Sequence, residues 1–260
     1  MWQSLRTATS GLLAQQRALD VAADNLTKMQ IPGSKSQRVS FLEQAPELRY
    51  FGVPDGQGGE TLQPREAGKG VNTGAGLQNL SQGSFLATGE PLDVAVNGDG
   101  LLEVVLPSGQ AAYTHGGSLH VDGSGRLVTA TGAELSPGIT VPQGTGALEI
   151  KTDGTVMAVM EGGVRQPLGQ LQLVRFANPE GLLQIGQNLL LPSAASGAAL
   201  PGAAGDAGIG TIASGILESS NIDPREEYLR VVQAQRAYEL NVRALKTVDE
   251  MLQSATTLRK

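Results

Sequence analysis

Apolar and small residues recur at the start of the chain at Trp2, Leu5, Thr9, Leu12, Gln16, Leu19, Ala23 and Leu26, alternating three and four apart. That alternation is the period of a helix carrying one seam, and it predicts helix over 1–30, interrupted only by Gly11. Ile31-Pro32-Gly33 ends it, because a residue before proline avoids the α region and glycine suits the exit turn. The same alternation returns at the far end, at Val231, Ala234, Tyr238, Asn241, Leu245, Val248, Leu252 and Ala255. There Asp223 can serve as the cap and Pro224 stands first in the helix, where its missing N–H costs nothing. Glu226 adds negative charge near the positive helix end. At about 1.5 Å per residue, a helix over 224–260 would run roughly 50 Å. Neither helix can hide its stripe alone in water, so the two are expected to pair as a coiled coil. Leu13, Val21, Leu229, Val232, Leu240, Val242 and Met251 widen the apolar face beyond what one partner covers, which extends the expectation to copies from other subunits.

Between the helices the pattern changes. All glycines but Gly11 lie from Gly33 to Gly215, and every proline lies from Pro32 to Pro224. Leu92–Val96 and Leu101–Leu106 flank Asn97-Gly98-Asp99-Gly100, and Ala147–Ile150 and Thr155–Val159 flank Asp153-Gly154. Both are hairpin signals, because Asp and Gly supply the positive φ of tight turns. Short strands at Arg126 to Thr129 and Leu171 to Phe176 give the even spacing of a sandwich or barrel. From Pro46 to Gly76 neither period holds, and that stretch reads as an extended arm or long loop, as does Ser193 to Gly208. The expected fold is α+β: terminal helices pairing as a coiled coil, a central all-β (sandwich- or barrel-like) domain and an extended arm. The divisions are helix 1–30, loop and arm 31–76, β domain 77–205, return connection 206–223 and helix 224–260.

Composition narrows the chemistry. With 40% hydrophobic residues, 3% aromatics and 35 glycines among 260 residues, the core must be built from small and branched aliphatic side chains, and deep aromatic-lined pockets are not expected. A net charge of -6 without a dense Lys/Arg block gives no footprint for nucleic acid or an anionic membrane. The absence of cysteine excludes disulfides and thiolate metal sites. The N-terminus, MWQSLRTATSGLLAQQRALD, lacks the apolar core and cleavage site of a secretory signal, and no run of about eighteen apolar residues predicts a membrane span. Export, if it occurs, leaves the N-terminus uncleaved.

Catalytic constellations are missing from the sequence: it contains no nucleophile elbow, P-loop, dinucleotide fingerprint, zincin motif or EF-hand loop. His115 and His120, the only histidines, stand five apart in a predicted strand and turn, and a surface or turn role is expected rather than a metal site. Glu226-Glu227 and Asp249-Glu250 are adjacent on a helix and do not converge, so they read as helix-start charge and solvated face. No enzyme activity and no cofactor are expected. Two readings remain: a β-rich secreted binding module with a helical dimerisation stalk, or a polymer built by the chain ends with the β domain around it. Empty chemistry and rich ends favour the second.

Four segments carry a resemblance. SGILESSNIDPREEYLRVVQAQRAYELNVRALKTVDEMLQ, PLDVAVNGDGLLEVVLPSGQAAYTHGGSLHVDGSGRLVTATG, ANPEGLLQIGQNLLLPSAASG and ALDVAADNLTKMQIPG resemble, in order and over nearly the whole chain, the bacterial flagellar rod and hook-type axial proteins, most of all their distal-rod branch. After the first helix that family usually reads close to A-N-N-L-A-N-x-x-T-P-G-Y-K. Residues Ala23 to Lys35 keep the Asn-Leu and Pro-Gly but lose several amides and the tyrosine, and Leu101 and Leu102 stand where paired phenylalanines are common. The departures bear on contacts made by that loop, not on an axial role.

The resemblance implies a structural subunit of the distal rod, with a proximal-rod component as the alternative. It further implies self-association into a helical polymer, a tubular drive shaft that transmits torque and carries an export channel. The implied partners are other rod and hook proteins and the flagellar type III export apparatus, with no nucleic acid and no membrane insertion. The location is the basal body, in the cell envelope. The seam expected to carry assembly is Leu5, Leu12, Leu19, Leu26, Val231, Tyr238, Leu245, Val248 and Leu252.

Overall fold

A computed structural model describes residues 2–54, 60–74, 76–206 and 208–257. Two compact units emerge: one formed by Met1–Leu26, Gln37–Leu77 and Asp223–Lys260, the other by Thr27–Ser36 and Gln78–Ile222.

The second unit is a β structure whose centre is the strand Leu101–Val105. One edge of that strand pairs antiparallel with Ala111–Thr114. The other edge is divided, Leu101 and Leu102 pairing with Gln172–Arg175 while Val104 and Val105 pair with Glu134–Leu135. Thr145–Ile150, Thr155–Met160 and Arg165–Gln170 form a separate three-stranded antiparallel sheet. Between the strands lies a core of aliphatic side chains, among them Val94, Leu102, Leu119, Leu127, Leu135, Val156, Leu171, Leu173 and Ile212. A smaller cluster holds the one aromatic pair among the described residues, Tyr113 edge-on to Phe176 with centroids 4.8 Å apart. The scarcity of aromatics thus has its counterpart in a core packed by leucine and valine.

One expected hairpin forms and one does not. Asp153-Gly154 turns between paired strands, with Gly154 at φ 82. Asn97-Gly98-Asp99-Gly100 does not: Val94–Asn97 pairs with Thr211–Ser214 rather than with Leu101–Val105. The glycines there serve a close approach, since a Cβ on Gly98 would lie 2.6 Å from the Gly210 Cα and Gly100 N donates to Ile209 O at 2.8 Å. The true partner of Leu101–Val105 is reached through the turn at Ser108-Gly109, where Gly109 has φ 82.

The segment expected as a return connection carries the strands Thr211–Ser214 and Ile216–Glu218, the latter paired with Phe85–Ala87. Ser193 to Gly208, expected as loop, contains the edge strand Leu200–Ala203, held by Gln172–Arg175.

In the first unit, α1 spans Trp2–Lys28 and α2 spans Pro224–Thr257. The arm between Pro46 and Gly76 has more order than its sequence pattern predicts. Glu47–Pro54 and Glu60–Ala67 form an antiparallel hairpin, and Phe41–Glu43 pairs with Val71–Thr73. Its pattern is unreadable because Leu48, Tyr50 and Phe51 are all exposed, so among the described residues no buried face imposes alternation.

Candidate functional site

The start of α2 follows from its residues. Asp223 Oδ1 accepts from Arg225 N at 2.8 Å and Asp223 O from Glu227 N at 3.0 Å, which caps the helix in front of Pro224. Arg230 then draws together Glu226 and Glu227, four and three residues before it in the helix.

Along α2, Val231, Asn241, Leu245, Val248 and Leu252 are half-buried, Ala234 is buried and Tyr238 is 39% exposed. Along α1, Leu5, Leu12, Leu19 and Leu26 are half-buried, whereas the well-covered positions are Ala14, Ala22 and Asn25. The side chain of Trp2 and that of Ala255 lie outside the described residues. Small residues therefore take the most covered positions of α1, and the leucine stripe lies beside them with much of its surface open. At Gly11 an added Cβ would meet Asn241 Nδ2 at 3.2 Å, so the two helices come close together there. Leu13, Leu229, Leu240 and Met251, off the seam, are each at least 58% exposed.

The chain leaving α1 is tied back by Asn25, the amide retained from the family pattern. Its Nδ2 donates to Gln37 O at 2.8 Å and its Oδ1 accepts from Gln37 N at 3.0 Å. Further along, Ser10 Oγ accepts from Val71 N at 3.1 Å.

In the β unit, the two chain segments adjoining the helices are fastened by buried polar side chains. Lys35 and Glu218 form an ion pair at 2.6 Å with each side chain 2% exposed. Lys35 Nζ also donates to Ser81 O at 2.9 Å, and Glu218 Oε1 accepts from Gly83 N at 2.7 Å. Asn221 Oδ1 accepts from Ser36 N at 2.8 Å while Nδ2 donates to Asn79 O and Ser81 O. Asn188, in a turn at φ 58, donates to Pro32 O at 3.0 Å and accepts from Ser34 Oγ at 3.1 Å.

His115 departs from its expected surface role: its side chain is 10% exposed, with Nδ1 3.8 Å from Glu218 Oε2. Burial, reinforced by the Lys35 charge, pushes its pKa down to about 3, so it is neutral near pH 7. The Glu218 charge is already engaged by Lys35, which leaves little to hold a proton on the ring. No sequence signal could have found this group, because its partners come from opposite ends of the β unit. His120 is exposed, as expected. Among the described residues no three His, Cys, Asp or Glu gather as metal ligands, and no helix is long and apolar enough to cross a membrane.

The family described as flagellar hook protein FlgE/F/G D1 domain matches residues 95–158, flagellar basal body rod FlgEFG protein C-terminal matches 213–258, and flagella basal body rod protein matches 5–27. These define a structural protein of the bacterial flagellum, of the rod and hook class. The flagellar basal-body rod protein FlgG of Caulobacter vibrioides is 38% identical over 260 residues, covering 99% of each chain. That of Borreliella burgdorferi is 36% identical over 100% of each chain, and that of Buchnera aphidicola 35% identical over 99% of this chain and 100% of its own. The chain belongs to the FlgG family of flagellar basal-body rod proteins.

Proposed function

We propose that the chain is a distal-rod subunit that polymerises through its terminal helices, paired as a coiled coil, into a tubular shaft that transmits torque and encloses an export channel. Other rod and hook proteins adjoin it at the ends of the shaft, and the subunit reaches its place through the flagellar export apparatus. The role is structural, without catalysis. The observation that carries the reading is the uncovered apolar surface on both helices. Leu5, Leu12, Leu19, Leu26, Val231, Tyr238, Leu245, Val248 and Leu252 are incompletely covered within the chain, and Leu13, Leu229, Leu240 and Met251 stand in solvent beside them. Apolar surface of this extent on two long helices favours further helices over water.

Leu245→Asp and Lys246→Asp test it. Leu245 is half-buried and Lys246 exposed. A carboxylate forced into the packed stripe is expected to abolish assembly, while its neighbour one position on is tolerated. Motility of cells carrying each variant, and basal bodies seen by electron microscopy, give the readout. Equal tolerance of both substitutions rejects the seam.

A further inference from the structure

Glu227 lies in the first turn of α2, and the residue is 2% exposed. Its Oε1 accepts from Arg230 Nη1 at 2.7 Å, but its Oε2 is buried without a hydrogen-bond partner among the described residues. A buried carboxylate oxygen in that position asks for a donor. The carboxylate borders a cleft of about 410 Å³ between α1, α2 and the segment after Asn25, walled by Ala18, Ala22, Phe41 and Ala234. The chain's own cations at the rim are already engaged: Arg230 on Glu226 and on Oε1 of Glu227, Arg38 with Glu226 at 3.6 Å. Short alanine side chains leave the cleft unfilled from within.

Meanwhile Arg17, Arg236 and Arg243 are exposed on the two helices and make no ion pair among the described residues. We propose that the cleft is the seat of an arginine from a second copy of this chain, whose guanidinium donates to the Glu227 carboxylate as its side chain turns Oε2 toward the cleft. Arginine fits the chemistry better than lysine. Its planar group is more weakly hydrated, it brings several donors in a fixed fork, and it can lie against the Phe41 ring at the cleft wall. The inference rests on polymerisation through the helices and adds to it a polar lock that fixes register, which an apolar stripe alone specifies weakly.

Because the chain contains no cysteine, a single one is unique. Gln233, exposed on the cleft rim, is replaced by cysteine carrying a short photo-crosslinker, and the protein is produced in flagellated cells lacking their own rod subunit. Crosslinks in purified basal bodies are mapped by mass spectrometry. The expected product joins Gln233→Cys to a peptide of a second copy containing Arg17, Arg236 or Arg243. Glu227→Gln, and separately Gln at the crosslinked arginine, should each lower the yield about tenfold, the scale of one charge-assisted hydrogen bond. If Glu227→Gln does not fold, as judged by circular dichroism, the arginine variant decides. Crosslinks only within one copy or to another protein, or an unchanged yield, overturn the proposal while polymers still form. If the parent chain builds no basal body at all, the polymer reading falls, and this inference with it.

Discussion

Lys35 Nζ lies 2.6 Å from Glu218 Oε1 across 183 residues of sequence, and both groups are out of solvent. This pair binds the segment that follows α1 to the strand that precedes α2, both within the β unit. Removing the cation alone leaves a buried carboxylate faced, among the described residues, by the Gly83 N–H and by the His115 ring 3.8 Å away. Lys35→Met is therefore expected to cost about 3–5 kcal/mol in stability, and the double variant Lys35→Met/Glu218→Leu to recover most of the loss. Urea denaturation followed by circular dichroism measures both. A double variant as unstable as the single one contradicts this account.

His115 gives the same cluster a pH dependence. Its pKa is depressed from 6.5 to about 3 by burial and by Lys35, so the unfolded chain binds more protons than the folded one between those values. The stabilisation is complete above about pH 6.5 and declines as pH falls toward about 3, by up to ~1.4 kcal/mol per unit. His115→Gln should abolish that component. The stability difference between parent and variant must therefore change as pH is lowered from about 7 to about 5, and a constant difference excludes the assignment.

At the helix crossing, Gly11 faces the amide end of Asn241, a flexible neighbour. An alanine there needs a shift of only a few tenths of an ångström at Asn241. Against that stands a helix-propensity gain of about 1 kcal/mol over glycine. Gly11→Ala should leave helix content and assembly intact, whereas Gly11→Phe should prevent assembly. Circular dichroism and sedimentation of polymers separate the outcomes. Assembly of the phenylalanine variant at the parent's level would show that the two helices need not approach there.

These sites also mark how far the sequence could be read. The helices were legible because Leu5, Leu12, Val231 and Leu245 repeat at helical spacing and Pro224 and Asp223 punctuate the second start. The covered positions Ala14, Ala22 and Asn25 of α1 were not, because alanine and asparagine give little hydrophobic signal even where they permit close approach. Gly98 was misread because a glycine that lets two backbones touch looks like a glycine that turns a hairpin. The Lys35–Glu218–His115 cluster left no local trace, since its members meet only after the β unit has closed. The kept Asn25 was visible as a motif, but its role, pairing with both backbone groups of Gln37, required coordinates.

In the hairpin formed by Glu47–Pro54 and Glu60–Ala67, the described large apolar side chains stand open to solvent. Leu48 is 57% and Tyr50 63% exposed, and two-residue spacing puts them on one face. An isolated two-stranded hairpin is marginal in water, so an apolar face of this kind gains by lying on a neighbouring subunit. The double substitution Leu48→Ser/Tyr50→Ser should change monomer stability by no more than about 0.5 kcal/mol, as for exposed positions generally. Its effect should appear in the polymer, where adjacent subunits resist sliding less well and straight rods give way to a broader distribution of curvature. Deleting Asp55 to Glu66 should act in the same direction; residues 55–59 of that stretch lie outside the described residues. Electron microscopy of purified basal bodies measures the curvature directly. Rods as straight as the parent's would show that this face carries no contact that stiffens the shaft, and complete loss of rods with the β unit still folded would assign the hairpin to assembly rather than to stiffness.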